Sequence, residues 1–297
     1  VSVALHAILA VGLNLLMGYA GQISLGHAAF FGIGAYSSAI LTTHYDWPAW
    51  PAMAAGMLLT GSIAFLVARP ILRLKGHYLA MATLGLGIIV HIILVQAEHL
   101  TGGPDGLSGI PALSLFGWEF NSDLRWYFVM STCMLLVVWL SLNLIDSRSG
   151  RALRALHGSV VAAEMMGINT TATKTGVFVL AALIGSFAGS LFAHQQAFIS
   201  PDSFSFFFSI ELVTMVVLGG MASTYGAVFG ALVLTFLPEL LVVFEDYEVM
   251  VFGAILMLMM IFLPQGLFVG LRDLLRRLVR HKQALGAAAG GNDRGAA

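Results

Sequence analysis

Long apolar runs, each of about 17 to 25 residues and so long enough to cross a bilayer as a helix, follow one another from the start of the chain to about Phe268. Only short polar blocks separate them. Nothing else constrains the fold as much, because hydrocarbon offers no partner to a peptide group and each run must be helical or enclosed by protein. Eight or nine such runs can be distinguished. The expected fold class is therefore all-α, a polytopic membrane helix bundle whose glycine-rich stretches make some helices discontinuous. Composition supports this, since 59% of the 297 residues are hydrophobic and only 10% charged, with a mean hydropathy of +0.90, far from soluble domains.

The formal net charge of −1 conceals a strict segregation of the basic residues. Arg69, Arg73 and Lys75 form one block, Arg148, Arg151, Arg154 and Lys174 a second, and Arg272, Arg276, Arg277, Arg280, Lys282 and Arg294 a third. Basic loops stay cytoplasmic, which places these blocks inside, the loop holding Arg125 outside, and Val1 outside. An upstream span or a short translocated tail would each fit that start, and no signal-peptide pattern follows Val1. Residues 1–270 read as one transmembrane domain with a cytoplasmic loop at 146–175. Residues 271–297 read as a cytoplasmic basic tail, amphipathic at first and expected to be disordered in its Ala/Gly-rich end.

The longest polar interruption, Ser147 to Thr175, carries Leu153, Leu156, Val160, Ala163 and Met166 at helical spacing. That pattern predicts an amphipathic helix on the membrane surface, stopped in a left-handed turn at Gly167 before Asn169. Its apolar stripe needs either lipid or a protein partner. Elsewhere the informative residues are polar ones inside apolar runs. Gln22 and His27 sit in GYAGQISLGHAAFFGIGAY, too rich in glycine for a continuous helix; such a break must face protein or a water-filled cavity.

Ionisable groups within spans mark candidate paths. Glu211 is the foremost, with a solvated position near the outer interface as the alternative. His91 and Glu98 are read on one helix, and Gly219 and Gly220 break the span that Glu211 itself opens. Gln22, His91, Glu211, Gly219 and Gly220 are thus the candidate path residues. Pro238 with Glu239, Glu245, Asp246 and Glu248 is expected to form an acidic external turn, and Trp118 and Trp126 to anchor the outer interface.

Chemistry of other kinds has little support. There is no GxxxxGK[ST] phosphate loop, no GxSxG elbow, no HExxH and no Cys/His ligand cluster, and Cys133 is the single cysteine. No catalytic site, metal, cofactor or nucleic-acid partner is expected in this chain, and any energy source lies elsewhere.

Several stretches resemble one family: GLNLLMGYAGQISLGHAAFFGIGAY from Gly12, LRLKGHYLAMATLG from Leu72, TGGPDGLSGIP from Thr101, SGRALRALHGSVVAAEMMGIN from Ser149, FAGSLFAHQQAFISPDSF from Phe187, VVLGGMASTYGAVFGA from Val216 and PQGL from Pro264. In this order they resemble the LivM-type permease subunit of bacterial branched-chain amino-acid ABC importers. The resemblance implies a multi-pass inner-membrane protein with a cytoplasmic C-terminus, a second permease subunit, two ATP-binding subunits and a periplasmic substrate-binding protein, besides membrane lipid.

It also implies that the 146–175 loop docks an ATPase, with Gly150, Arg151, Glu164 and Gly167 on matching positions and Arg154 beside them. Many relatives are acidic where this chain has Val160. Gly102, Gly103, Pro104 and Asp105 become candidate contacts for the binding protein. Urea, short amides or other amino acids are the alternative substrates, and a stand-alone secondary transporter or channel is the alternative mechanism.

Overall fold

The computed structural model describes residues 1–74, 76–115, 118–120, 122–241 and seven further positions between 253 and 270. Most of the last apolar run, all of the 271–297 tail and the acidic residues Glu245, Asp246 and Glu248 lie outside the described residues. Within them the chain is all-helical apart from two pairs of two-residue strands. Helix α1 is Ser2–Asn14, continued by a π-helical turn Leu15–Tyr19; α2 is His27–Thr43, α3 Ala49–Ile71, α4 His77–Gln96 and α5 Glu98–Thr101. After the outer loop come α6 Asp123–Asp146, α7 Arg148–Gly158, α8 Val160–Met165, α9 Thr170–Gln196, α10 Phe206–Gly219 and α11 Thr224–Leu241. Among the described residues, five segments are long and apolar enough to cross a membrane: Ser2–Tyr19, α3, α4, α6 and α9.

The first segment is the axis of the bundle. Of Ser2–Tyr19, 78% is buried, against 22% of α6, and α1 packs on α6, α9, α10 and α11. The most extensive contact joins α2 to α9, and glycine makes it possible. A Cβ on Gly34 would run into the carbonyl oxygen of Ser186, and one on Gly189 into that of Phe31. Close backbone approach replaces the hydrophobic driving force that lipid removes. Hydroxyls then stitch the contact. Ser190 Oγ donates to the carbonyls of Gly34 and Ser186 at 3.1 Å each, Thr60 Oγ1 of α3 donates to Ser186 Oγ at 3.0 Å, and Ser38 pairs with His194 at 2.8 Å.

Helix α2 starts midway through the bundle. His27 lies against Gly12 of α1 and Gly185 of α9, and a Cβ on Gly87 of α4 would meet the Cα of Gly26 at 3.5 Å. All three glycines stand near the middle of their segments. The first turn of α10 is held at the same level, because the Ala28 amide donates to Ser209 Oγ at 3.2 Å. Two helices therefore begin inside the bundle.

The structure differs from expectation in three places. Pro238 and Glu239 lie within α11 instead of forming a turn. Helix α4 ends at Gln96 and Glu98 starts the separate one-turn α5, so His91 and Glu98 do not share a helix. Trp126 is buried, packed near Phe120 with ring centroids 6.3 Å apart, and is no interfacial anchor.

The α2–α9 contact should tolerate no side chain. Gly34→Leu must push two backbones apart, and overpacking costs about 1–3 kcal/mol where side chains alone resist. Its thermal unfolding midpoint in detergent should fall by several degrees, while Gly176→Leu on α9, where a Cβ meets nothing within 4 Å, should leave it unchanged.

Candidate functional site

The 146–175 loop is built from local capping. Ser147 accepts from the Gly150 amide at 3.4 Å and opens α7. Ser159 accepts from Ala162 at 3.2 Å and opens α8, and Asn169 Oδ1 accepts from Ala172 at 3.0 Å to open α9. Side chains of this type satisfy the free amides at a helix start. The predicted single amphipathic helix is thus two helices. Ser159 is extended, with φ −161° and ψ 121°, because Gly158 gives up the helix and the serine hydroxyl prefers to cap the next one.

The split redistributes the apolar stripe. Leu153, Leu156 and Ala163 are buried as the periodicity predicts, but Met166 is 82% exposed. Leu153 joins a buried cluster with Leu15, Leu16, Tyr19, Ala20 and Ile145, so α7 lies beneath the π-helical end of the first segment. On the other side α8 presents Val161, Met165 and Met166 outward. Reading α8 with its own period would have found Val161 and Met165, which are one turn apart.

The five candidate coupling residues divide by role. At Gly150 a Cβ would run into the carbonyl oxygen of Ile145, so this glycine serves the tight α6–α7 corner. Arg154 is engaged in the same corner: its guanidinium donates to the Ile145 carbonyl at 2.6 Å and lies 4.0 Å from Asp146. A cation over the last carbonyls of α6 complements their partial charge, whereas the exposed ion pair adds little. Gly167, with φ +80°, ends α8; the Gly167 amide donates to Glu164 O at 2.9 Å and that of Ile168 to Ala163 O at 3.1 Å. Arg151 and Glu164 stay exposed. Thr170 Oγ1 donates to Glu164 Oε1 at 2.8 Å, tying α8 to the start of α9.

Above this loop lie the candidate path residues. The chain leaves helical geometry between Tyr19 and His27. Two of its amides are paired nevertheless, Gln22 N donating to Leu16 O at 3.1 Å and Leu25 N to Thr83 Oγ1 at 3.0 Å. The side chains are not. Both polar atoms of Gln22, Ser24 Oγ and both ring nitrogens of His27 are buried without a partner.

A second break, Gly220–Ser223, lies against the same end of the first segment, where the Ala222 amide donates to Asn14 Oδ1 at 3.1 Å. Ala222 has φ 58° and Gly220 φ 110°. A left-handed alanine costs about 1–2 kcal/mol, which the asparagine bond offsets. Gln22, Gly219 and Gly220 are therefore gathered around one helix end. His91 is half-buried on α4, one turn outward from Gly87, and its Nδ1 has no partner. Glu211 stands half a turn beyond Ser209, and so near the level at which α2 begins. His27, Ser24 and Ser209 complete this region; their signal in the sequence is a polar residue beside a glycine break or inside an apolar run.

On the outer side Gly102 and Gly103 adopt φ 76° and 59°, and Gly103 is buried. They shape the loop; Pro104 and Asp105 are the exposed members of the four. Strand β1, Leu107–Ser108, pairs with β4, Phe198–Ile199, and fastens this loop to the segment after α9.

Residues 1–262 match the family model described as "Branched-chain amino acid transport system / permease component". The chain is 38% identical over 287 residues to the high-affinity branched-chain amino acid transport system permease protein LivM of Salmonella typhimurium, covering 89% of this chain and 67% of that protein. Identity to LivM of Escherichia coli is 37% over the same shares. It is 27% to the permease protein LivH of Salmonella typhimurium, over 88% of this chain and 90% of LivH. No solved structure matches at a significant level.

If α8 depends on its left-handed stop and on the cap that follows, Gly167→Val and Asn169→Ala should each loosen the loop by about 1 kcal/mol or more. Trypsin cleavage at Arg151 and Arg154 in inside-out vesicles should speed up several-fold, with no change for Ser149→Ala.

Proposed function

The chain belongs to the branched-chain amino acid transport permease family, and we propose that it is the membrane-spanning half of an importer driven by separate ATP-binding subunits. The observation that carries this reading is the build of the cytoplasmic loop. Helix α8 and the residue after it expose Val161, Met165 and Met166, and Arg151 and Glu164 are exposed on the same loop, a surface suited to an ATPase groove. Helix α7 is sealed under Leu15, Leu16 and Tyr19, and a Cβ on Gly21 would stand 3.1 Å from His157 Nδ1. Movement imposed on the loop thus reaches the Ala20–Gly26 break directly.

On this reading the protein is a multi-pass component of the bacterial inner membrane with eight or nine spans, its glycine-rich helices discontinuous, its C-terminus cytoplasmic and residues 1–270 forming the permease domain. A second, related permease subunit completes the pathway. A periplasmic binding protein delivers substrate near Pro104 and Asp105. Closure of two ATPases is then transmitted through α7 to the helices that begin at mid-bundle, opening the path inward. Branched-chain amino acids are the substrates most consistent with the relatives. The buried, unpartnered Gln22, Ser24 and His27 supply groups that an opened path could present to a zwitterion, while the surrounding aliphatics accept its side chain. No cofactor is needed in this chain.

Two measurements test it. Arg151→Ala combined with Glu164→Ala should reduce co-purification of the ATP-binding subunits about tenfold, with membrane insertion intact; undiminished recovery would overturn the coupling role. For substrate, leucine, isoleucine and valine should compete for the cognate binding protein where urea and short amides do not. Failure of all three would sink the substrate assignment and spare the permease.

A further inference from the structure

Glu211 has an environment that lipid cannot supply. Among the described helices outside the 146–175 loop it is the one Asp, Glu, Lys or Arg away from the ends: Arg69 closes α3, Asp123, Arg125 and Asp146 flank α6, Lys174 opens α9, and Glu239 closes α11. Its depth follows from the Ala28–Ser209 bond, which sets the first turn of α10 level with the middles of α1, α4 and α9. Yet it is only partly covered, and it has no hydrogen bond or ion pair among the described residues. Its helix neighbours on that side are Phe207, 78% exposed, and Ile210, 40% exposed. A carboxyl group at this depth costs several kcal/mol in hydrocarbon and is found facing protein or water.

The adjoining face of α4 has the matching character. Ile88 and Phe206 line one narrow crevice with Ser205 and Ser209, so the outer stripes of α4 and α10 are continuous. Along the α4 stripe Met81, Ile88 and Ile92 project outward, and at Gly85 between them a Cβ would meet nothing within 4 Å. An open glycine on an outward stripe lets another helix come close. The outward faces of α3 and α6 are as apolar but carry no ionisable group away from their ends.

We propose that the α4–α10 face bearing Glu211 is the surface on which the second permease subunit packs, with a hydrogen-bond donor or cation of that subunit opposite the carboxylate. The proposal rests on the importer reading above. The occupant is a related permease and not a second copy of this chain, because the systems of the relatives contain two kinds of permease protein, LivM and LivH in one organism, and this chain is similar to both.

The test uses the complete importer expressed in cells. A photo-crosslinking benzoylphenylalanine is placed at Phe207 and, as control, at Leu135 on the outward face of α6. Adducts with the second permease are expected from position 207 and not from 135. Separately, Glu211→Leu should lower recovery of the second permease about tenfold or more, as loss of a buried charge partner does, and Glu211→Gln should retain most of it. If the two permeases co-purify but position 207 gives only lipid adducts, or adducts with a second copy of this chain, the inference is overturned while the importer reading stands. Equal or better recovery with Glu211→Leu overturns it too. A chain that purifies with no second permease overturns the pairing reading and this inference with it.

Discussion

A peptide group that leaves helical geometry inside a membrane must find its partner in the protein, and the rest of this bundle is arranged around meeting that demand at Ala20–Gly26. The partners come from four directions. Leu16 supplies a carbonyl, Thr83 of α4 a hydroxyl to Leu25, Ser209 of α10 a hydroxyl to Ala28, and α7 closes the opening from below. Each requires a helix to come unusually near. That explains why Gly12, Gly87 and Gly185 stand where they do, and why the first segment, carrying the break, is also the most buried.

In this region the Gln22 and Leu25 amides find partners, while the side chains of Gln22, Ser24 and His27 do not. Buried groups without partners are uncommon and call for a reason. In a transporter the reason is that no single conformation has to satisfy them all. His27, Gln22 and Ser24 occupy the site where the geometry of the chain is least regular and where the cytoplasmic loop makes contact. A state in which water or a zwitterion reaches them would gain the hydrogen bonds that this one lacks.

Much of the architecture can be read from residue types. Ser147 and Asn169 begin helices as caps, Gly167 stops one, and the clustering of Gly18, Gly21 and Gly26 marks the break. What escapes the sequence is of two kinds. Local punctuation can be weaker than the period it interrupts: the 3.6-residue stripe runs on through Ser159, and only the free helix ends of the folded loop reveal that one residue there is extended. Conversely Pro238 looks like a stop, yet α11 continues through it. The second kind is depth. Glu211 sits where it does because residues 181 positions apart form one hydrogen bond, Ala28 to Ser209, and no periodicity encodes such a contact. For the same reason Gly150 and Arg154, both legible as members of the loop, have roles that only the Ile145 carbonyl explains.

The corner between α6 and α7 and the joint at Ser159 differ mechanically. At the corner, Gly150 abuts the Ile145 carbonyl, Arg154 grips the same atom, and Ser147 Oγ binds the Leu144 carbonyl at 2.6 Å, leaving few torsions free. Between α7 and α8 one extended serine bridges the two helices. The loop is therefore a stiff bracket ending in a swivel. On the importer reading proposed above, a load applied to α8 changes direction at the swivel, while the bracket delivers it to α6 and the first segment with little loss to bending.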